Sequence, residues 1–168
     1  DYVTIVEEFI YAKTIEEEQE ELAAIAEMEE RENASEESTP QNTTVVESPS
    51  GSYTTNEELR TAIVNYAKQY VGYPYVHGGQ TLSGTDCSGF TMLILKEFGY
   101  SISRTPQGQY TGAGRAISYS EAQPGDIICY SDNGSSCTHV AFYIGNGQIV
   151  HAANSQKKIK ISSATQGR

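Results

Sequence analysis

The sequence predicts an α+β domain from residue 56 to the C-terminus, in which helices come first and an antiparallel β-sheet follows. Two observations lead to this fold class. Apolar residues recur at helical spacing between residues 56 and 98, and from residue 126 onward they alternate with period two among β-branched residues. Helices followed by a strand meander are typical of a domain whose helices pack on one sheet.

Charge is divided unevenly along the chain. The first 58 residues hold 17 of the 22 acidic residues but only two of the 11 basic ones, so the net charge of −11 belongs to this part. The remaining 110 residues carry five acids and nine bases and are long enough to form one core. We predict no nucleic-acid partner and, because no run of 18 apolar residues occurs, no membrane insertion.

The N-terminal third is predicted to form two segments. Residues 1–32 are an acidic segment, with a strand end at residues 1–5 and an amphipathic helix from Thr14 to Glu32, which serves as a solvated spacer or as a partner-binding segment. Residues 33–55 are rich in Ser, Thr, Asn and Glu and nearly lack large apolar side chains. This composition predicts a disordered linker, because little apolar burial is available to offset the entropy of ordering.

The helices of the domain are predicted from capping residues and apolar spacing. The first begins with Asn56 as N-cap, continues with acidic residues in its first turn, and ends at Gly72. The second runs from Ser88 to Phe98 and is apolar almost all round, which predicts that it is buried. The Gly-rich and Gln-rich stretch that follows, through Gly114, is predicted to be a loop.

Four strands are predicted in the C-terminal part, at residues 126–130, 138–144, 148–152 and 157–162. Between the second and third, Gly145-Asn146-Gly147 predicts a tight hairpin turn, which sets those two strands side by side.

Candidate catalytic residues are a cysteine at a helix start and two histidines on the paired strands. A helix N-terminus and a neighbouring histidine both favour the thiolate, which predicts that Cys87 is a nucleophile rather than a small buried residue. His139 lies at the head of an apolar strand, where a general base would be firmly held, and His151 could orient its ring. The Cys and His spacings do not match zinc sites, so no metal and no cofactor are predicted.

Five motifs in order resemble the NlpC family of cell-wall cysteine peptidases over about residues 57–162: Asp86-Cys87-Ser88-Gly89-Phe90, Arg104-Thr105 with Gln109, Pro124-Gly125-Asp126, Thr138-His139-Val140 leading to Gly145-Asn146-Gly147, and His151-Ala152. The resemblance implies a papain-like fold, with N-terminal helices packed on an antiparallel sheet. It also implies that peptidoglycan stem peptides are cut between D-γ-glutamate and a diamino acid, by a bacterial protein that is secreted or wall-associated.

The same resemblance assigns roles by position. Cys87 would be the nucleophile, His139 the base and His151 the residue that orients it. Residues around the nucleophile would bind substrate: Tyr75 at the oxyanion beside the Cys87 N–H, Asp86 and Ser88 at the free amino end of L-alanine, and His77, Arg104 and Gln109 as candidate groove residues. Two positions depart from the family pattern, since His77 replaces the usual Trp and Pro106 a small polar residue.

Several alternatives stay open. A CHAP-type amidase, which cuts between muramic acid and L-alanine, has a related fold, and a non-catalytic wall-binding module could retain it. Cys129 and Cys137 flank a short loop and either form a disulfide or remain two thiols. At the N-terminus, the first five residues resemble the last strand of a bacterial Src-homology-3-like cell-wall domain.

Overall fold

A computed structural model describes residues 4–10, 53–154 and 156–165, the first of these ranges by its backbone only. The predicted acidic helix and most of the predicted linker lie outside the described residues. The helices are α1 (Asn56–Lys68), α2 (Cys87–Glu97) and α3 (Pro106–Gly112), with a 3₁₀ turn at Tyr119–Glu121. The strands are β1 (Thr4–Ile10), β2 (Gln80–Thr81), β3 (Gly84–Thr85), β4 (Arg115–Ile117), β5 (Ile127–Ser131), β6 (His139–Gly145), β7 (Gln148–Asn154) and β8 (Lys158–Ser163).

Helix α1 begins one residue earlier than predicted, at Asn56 itself. Thr55 is the N-cap and accepts a hydrogen bond from the backbone N–H of Glu58, whose carboxylate in turn accepts from the Thr55 N–H. This reciprocal capping box satisfies two backbone donors that the first turn of a helix leaves without partners. The prediction that Asn56 caps α1 is therefore wrong, because the Thr side chain with a Glu three residues later closes the better cap.

The main sheet has six strands in the order β4-β1-β5-β6-β7-β8. The predicted meander is confirmed, since β5 to β8 pair antiparallel in sequence order, with bounds shifted by one or two residues. Asn146 and Gly147 both have positive φ, as a two-residue hairpin turn requires. Strand β1 pairs in parallel with both β4 and β5, so the sheet is mixed and includes a segment from the acidic N-terminal third.

The core lies between α2 and the sheet. Helix α2 packs on β6 and β7, and Phe90, Ile94 and Leu95 of this helix are almost completely buried. A second, smaller cluster on other strand positions contains Ile128, Tyr130 and several neighbours, and the Tyr130 hydroxyl donates to the Ala164 carbonyl. The two clusters hold β5, β6 and β7 between them. The N-terminus of α2 is consequently positioned against the sheet.

Helix α3 lies in the stretch that was predicted to be a loop. Thr105 caps it by accepting from the Gly108 N–H, and Pro106 occupies its first turn, where no N–H is needed. The loop prediction is wrong for residues 106–112, since these capping signals outweigh the glycine content of a short helix. Across the described ranges, no helix has the length and apolar character needed to span a membrane.

Candidate active site

Cys87 is the first residue of α2, and the residue before it caps the helix. The Asp86 carboxylate accepts a hydrogen bond from the Gly89 N–H at 2.8 Å, in the manner of an N-cap. Cys87 itself is 8% exposed, so its sulfur sits at the edge of the core where the helix begins. The positive end of the helix dipole lies at this point, which favours a thiolate.

Gly89 is required by the close packing of this helix start. A Cβ at this position would collide with the Thr85 hydroxyl and lie 2.7 Å from the Gly79 carbonyl oxygen. The first turn of α2 therefore sits directly against the loop that precedes it. This contact holds the start of α2, where Cys87 lies, against residues 79–85.

Arg104 forms a two-bond ion pair with Asp86. Its Nη1 lies 2.9 Å from Oδ1 and its Nη2 lies 2.7 Å from Oδ2. The carboxylate also accepts from the Gly78 and Gly89 N–H groups and contacts the Ser88 hydroxyl. Burial pushes the pKa of Asp86 upward, but the hydrogen bonds from Arg104 and Gly89 outweigh burial, so the pKa lies below its ordinary value.

The same guanidinium binds two further groups near Cys87. Nη1 donates to the Ser88 hydroxyl at 2.9 Å and Nη2 donates to the Gly79 carbonyl at 3.1 Å. The pKa of Arg104 is raised, chiefly by its hydrogen bond to Asp86 and against the effect of burial, and the charges of Cys87 and Tyr75 add to the increase. The positive charge of Arg104 in turn stabilises a negative charge on the Cys87 sulfur, so Arg104 also favours the thiolate.

The two histidines form a buried pair on β6 and β7. His139 Nε2 lies 2.7 Å from His151 Nδ1, and the ring planes are nearly perpendicular at 80°. His139 is 3% exposed and His151 is fully buried. Because Nε2 of His139 is occupied by His151, Nδ1 is the ring nitrogen that can exchange a proton with a thiol.

Packing brings together the elements that carry Cys87 and the two histidines. Helix α2 contacts both β6 and β7, the strands that carry the histidines. Cys87 belongs to the same core cluster as Val140, the residue after His139, and as Cys137. The predicted grouping of a helix-start cysteine with two strand histidines thus corresponds to elements that pack on one another.

The remaining predicted residues differ in their surroundings. Tyr75 is half-buried, packs against the main core cluster and forms an isolated parallel bridge with Thr85. Ser88 is only 2% exposed, and its hydroxyl accepts from Arg104. His77 is exposed in the loop before β2. The candidate roles of these residues toward substrate stay predictions.

Gln109 does not line a groove, contrary to the prediction. It is fully buried in α3, where its Oε1 accepts from the Thr91 hydroxyl at 2.7 Å. Its Nε2 donates to the carbonyls of Ser88 and Ser103 at 2.8 and 2.9 Å. The side chain therefore joins α2, α3 and the loop that carries Arg104, because a buried amide must satisfy its polar atoms internally.

Two features of the site were not predicted from the sequence. Ser162 on β8 places its Oγ 3.0 Å from His151 Nε2, and only the β7–β8 register could have indicated this contact. Cys129 and Cys137 are not joined in a disulfide. Instead the Cys137 thiol donates to the His139 carbonyl at 3.4 Å.

Known proteins resemble this chain in sequence and in structure. A protein of Listeria innocua named "Probable endopeptidase p60" is 39% identical over 58% of this chain, and a γ-D-glutamyl-L-lysine dipeptidyl-peptidase of Bacillus cereus is 37% identical over 59%. The chain spans only 20% and 30% of the length of these curated relatives.

Solved structures give the same result. The NlpC/p60 domain of peptidoglycan hydrolase SagA superposes with a TM-score of 0.58 at 39% identity, over 64% of this chain and 91% of that one. An NlpC/P60 family protein from Bacillus cereus superposes with a TM-score of 0.59 at 32% identity, over 70% and 36%. The model of the NlpC/P60 family matches residues 72–168, which is more than half of the sequence. This chain therefore belongs to the NlpC/P60 family.

Proposed function

We propose that this domain is a cysteine peptidase that hydrolyses the bond between D-γ-glutamate and the diamino acid of peptidoglycan stem peptides. One observation carries the proposal: Cys87 begins a buried helix that packs against the strands bearing the His139–His151 pair. A thiol at a helix start and a buried imidazole pair are the parts that covalent acyl transfer needs. The Bacillus cereus relative named as a γ-D-glutamyl-L-lysine dipeptidyl-peptidase supports this substrate class.

The proposed reaction begins with proton transfer. His139 Nδ1 takes the proton of Cys87, and the sulfur attacks the γ-carbonyl carbon of D-glutamate. The resulting oxyanion accepts hydrogen bonds from the N–H groups that open α2 and from the Tyr75 hydroxyl. His139 then gives its proton to the departing amine of the diamino acid, which leaves a thioester on Cys87.

A water molecule completes the cycle. His139 takes a proton from this water as it attacks the thioester, and the thiolate leaves as the γ-carboxyl group of glutamate is released. His151 accepts a hydrogen bond from His139 Nε2–H throughout, and so stabilises the imidazolium that forms in each step. His139 thus acts as base and acid in turn, with its ring held in one orientation.

The substrate determines where such a protein would act. Stem peptides are components of the bacterial wall, so we propose that the protein is secreted or wall-associated. We further propose that Asp86 and Ser88 lie at the end of the groove that receives L-alanine. Arg104 already neutralises the Asp86 carboxylate, so attraction for a free amine there is weaker than an isolated carboxylate would provide.

Mass analysis of products from defined muropeptides tests the proposal. A tripeptide stem with L-lysine or a diaminopimelate residue should yield the L-alanyl-D-glutamate dipeptide and the free diamino acid. An amidase would instead release L-alanine-terminated stems from muramic acid. A wall-binding module would produce neither, and a thiol-reactive probe would then fail to label Cys87. Either of the last two results would overturn the proposed activity.

A further inference from the structure

The buried histidine pair ends at a hydroxyl group on the neighbouring strand. Both ring nitrogens of His151 are engaged, Nδ1 at 2.7 Å from His139 Nε2 and Nε2 at 3.0 Å from Ser162 Oγ. We propose that Ser162 is a positioning residue for the reaction, which accepts a hydrogen bond from His151 and thereby holds Nδ1 of that ring toward His139. The inference rests on the proposed cysteine peptidase activity.

Proton positions along this chain of contacts follow from the chemistry of His139. Its Nδ1 must lack a proton in order to take one from Cys87, so its own proton is on Nε2 and is donated to His151 Nδ1. A neutral His151 then carries its proton on Nε2, which points at Ser162 Oγ. Each imidazole thus donates in the same direction, away from the thiol. Ser162 is the acceptor at the end of the series.

Ring orientation depends on the same contact. A half turn of the His151 ring about its Cβ–Cγ bond would place carbon atoms against both His139 and Ser162, so both hydrogen bonds would be lost together. His151 is fully buried, and no water would compensate for the lost bonds. Removing the Ser162 hydroxyl takes away one of the two bonds that select the productive orientation. The base should then be less well held during turnover.

Strand register explains why Ser162, and not its neighbour, has this position. Ser162 pairs with Ile149, two residues from His151 on β7, and successive residues of a strand face opposite sides. Ser163 is the next residue, and its hydroxyl contacts that of Thr165 instead. Both serines are half-buried. Ser163 is therefore a matched control for substitutions at Ser162.

Other titratable groups surround the His139–His151 pair. These groups are the same in the parent and in the Ser162 variants. Lys160 pairs with His151 across β7 and β8, and its pKa is lowered by burial and then by Lys157. The Tyr130 ring of β5 lies 5.8 Å from that of His139, and burial raises its pKa. Cys87 belongs to α2, which packs on the same strands. A pH effect specific to Ser162 variants can therefore be assigned to the hydroxyl.

Two substitutions separate the hydroxyl from side-chain shape. Ser162→Val and Ser162→Thr have nearly the same volume, but only threonine keeps a hydroxyl. On a tripeptide stem we expect kcat to fall about tenfold in Ser162→Val, with KM within about twofold, as for the loss of one buried hydrogen bond that orients His151. Ser162→Thr and Ser163→Ala should stay within about threefold of the parent. The alkaline limb of the kcat profile should move to lower pH in Ser162→Val, because His151 without its own acceptor is a weaker acceptor for the His139 imidazolium.

Alkylation of Cys87 provides a readout that needs no peptide substrate. Its rate with iodoacetamide is followed against pH by mass spectrometry of the Cys87 peptide, and the rise in rate as the thiolate forms should shift to higher pH in Ser162→Val but not in Ser162→Thr. If the parent cleaves no stem peptide and this shift occurs, the proposed activity fails and the role of Ser162 stands. Identical profiles for the two variants would overturn the inference, whether or not stem peptides are cleaved. Equal losses of kcat and stability in Ser162→Val and Ser162→Thr would also overturn the inference, since they would indicate an effect of packing alone.

Discussion

Arg104 binds both carboxylate oxygens of Asp86, at 2.9 and 2.7 Å, and Asp86 is the residue that caps the helix begun by Cys87. The ion pair thus connects the loop before α3 to the start of α2. Ser88 and Gly79 bind the same guanidinium, so one side chain joins three segments of backbone around the thiol: its own loop, the start of α2 and the loop before β2. The position of Cys87 depends on Arg104 as well as on the helix itself.

We predict that Arg104→Lys lowers kcat/KM at least tenfold and the free energy of unfolding by about 1–2 kcal/mol, because an ammonium group cannot reproduce two parallel bonds. Steady-state kinetics and chemical denaturation would measure both effects. Arg60→Lys is the matched control, since Arg60 pairs with Asp126 and with the Pro124 carbonyl. It should lower stability without changing kcat/KM. Equal kinetic losses in both variants would contradict a specific role for Arg104.

The ion pair also predicts how the stability difference depends on pH. The pKa of Asp86 is lowered in the folded protein, so its stabilising contribution is complete above the unfolded pKa of about 4 and is lost as pH falls through the folded value. Denaturation of the parent and of Arg104→Met should therefore differ most at neutral pH. The difference should shrink as pH falls below about 4. A constant difference down to pH 2 would show that the ion pair is not its source.

Cys87→Ala is predicted to abolish hydrolysis of stem peptides while changing the free energy of unfolding by about 1 kcal/mol or less, because a single sulfur at the edge of the core is removed. Product mass analysis and thermal unfolding would follow the two effects. Cys129→Ala serves as the control, since this thiol is also buried but lies on β5. Activity of Cys87→Ala within about tenfold of the parent would exclude Cys87 as nucleophile.

Residues 1–50 are predicted to be dispensable for cleavage of small soluble stems but to contribute to stability. Strand β1 contacts β4 and β5 in the sheet order, whereas the candidate catalytic residues lie on α2, β6 and β7. A chain beginning at Gly51 keeps the Thr55 cap and should retain kcat/KM within about threefold at 20 °C. Its melting temperature should be lower than that of the full chain, because the edge of β5 becomes exposed.

A single substitution in the full chain tests the same pairing. Val6→Pro introduces a residue without a backbone N–H where β1 pairs with Ile117 and Ile128, so it should lower the melting temperature about as much as the truncation. Val6→Ala should have a smaller effect. Loss of most activity in the truncated chain would instead place part of the N-terminal segment in the site.

Gln109→Leu is predicted to lower the free energy of unfolding by about 2–3 kcal/mol, because the Thr91 hydroxyl and the Ser88 and Ser103 carbonyls lose a buried partner. We expect KM to change less than twofold, since Gln109 is fully buried and cannot touch a peptide in the groove. Urea denaturation measures the free energy of unfolding, and Michaelis–Menten kinetics measure KM. A large change in KM at unchanged stability would restore Gln109 as a groove residue.

Acetylation of the L-alanine amine is predicted to reduce kcat/KM by about threefold to tenfold. One charge-assisted contact is lost, but the Asp86 carboxylate that would accept it is already paired with Arg104, which lessens the effect. Competition between free and acetylated tripeptide stems measures the ratio directly. Equal rates, or faster cleavage of intact glycan-linked muropeptide, would remove Asp86 from substrate recognition.

The strand meander and the buried helix were predictable because their signals are local. Period-two alternation and the Asn146-Gly147 turn specify β6 and β7, and the apolar run after Cys87 specifies α2. The bounds and caps were less accurate, since Thr55 and Asn56 are both good capping residues and only the geometry at Glu58 selects one of them. Helix α3 was missed because its glycines are typical of a loop, although Thr105-Pro106 is a helix start signal.

By itself, the sequence determined the fold class and the candidate nucleophile, base and orienting histidine, since each depends on residue type at a helix start or along neighbouring strands. Only the tertiary structure decided which side chains meet across elements. Three such contacts join residues 11 to 18 positions apart in the sequence. They are the hydrogen bond of Gln109 with Thr91, the ion pair of Arg104 with Asp86 and the contact of Ser162 with His151. Such contacts depend on strand register and helix packing, which no local pattern in the chain specifies.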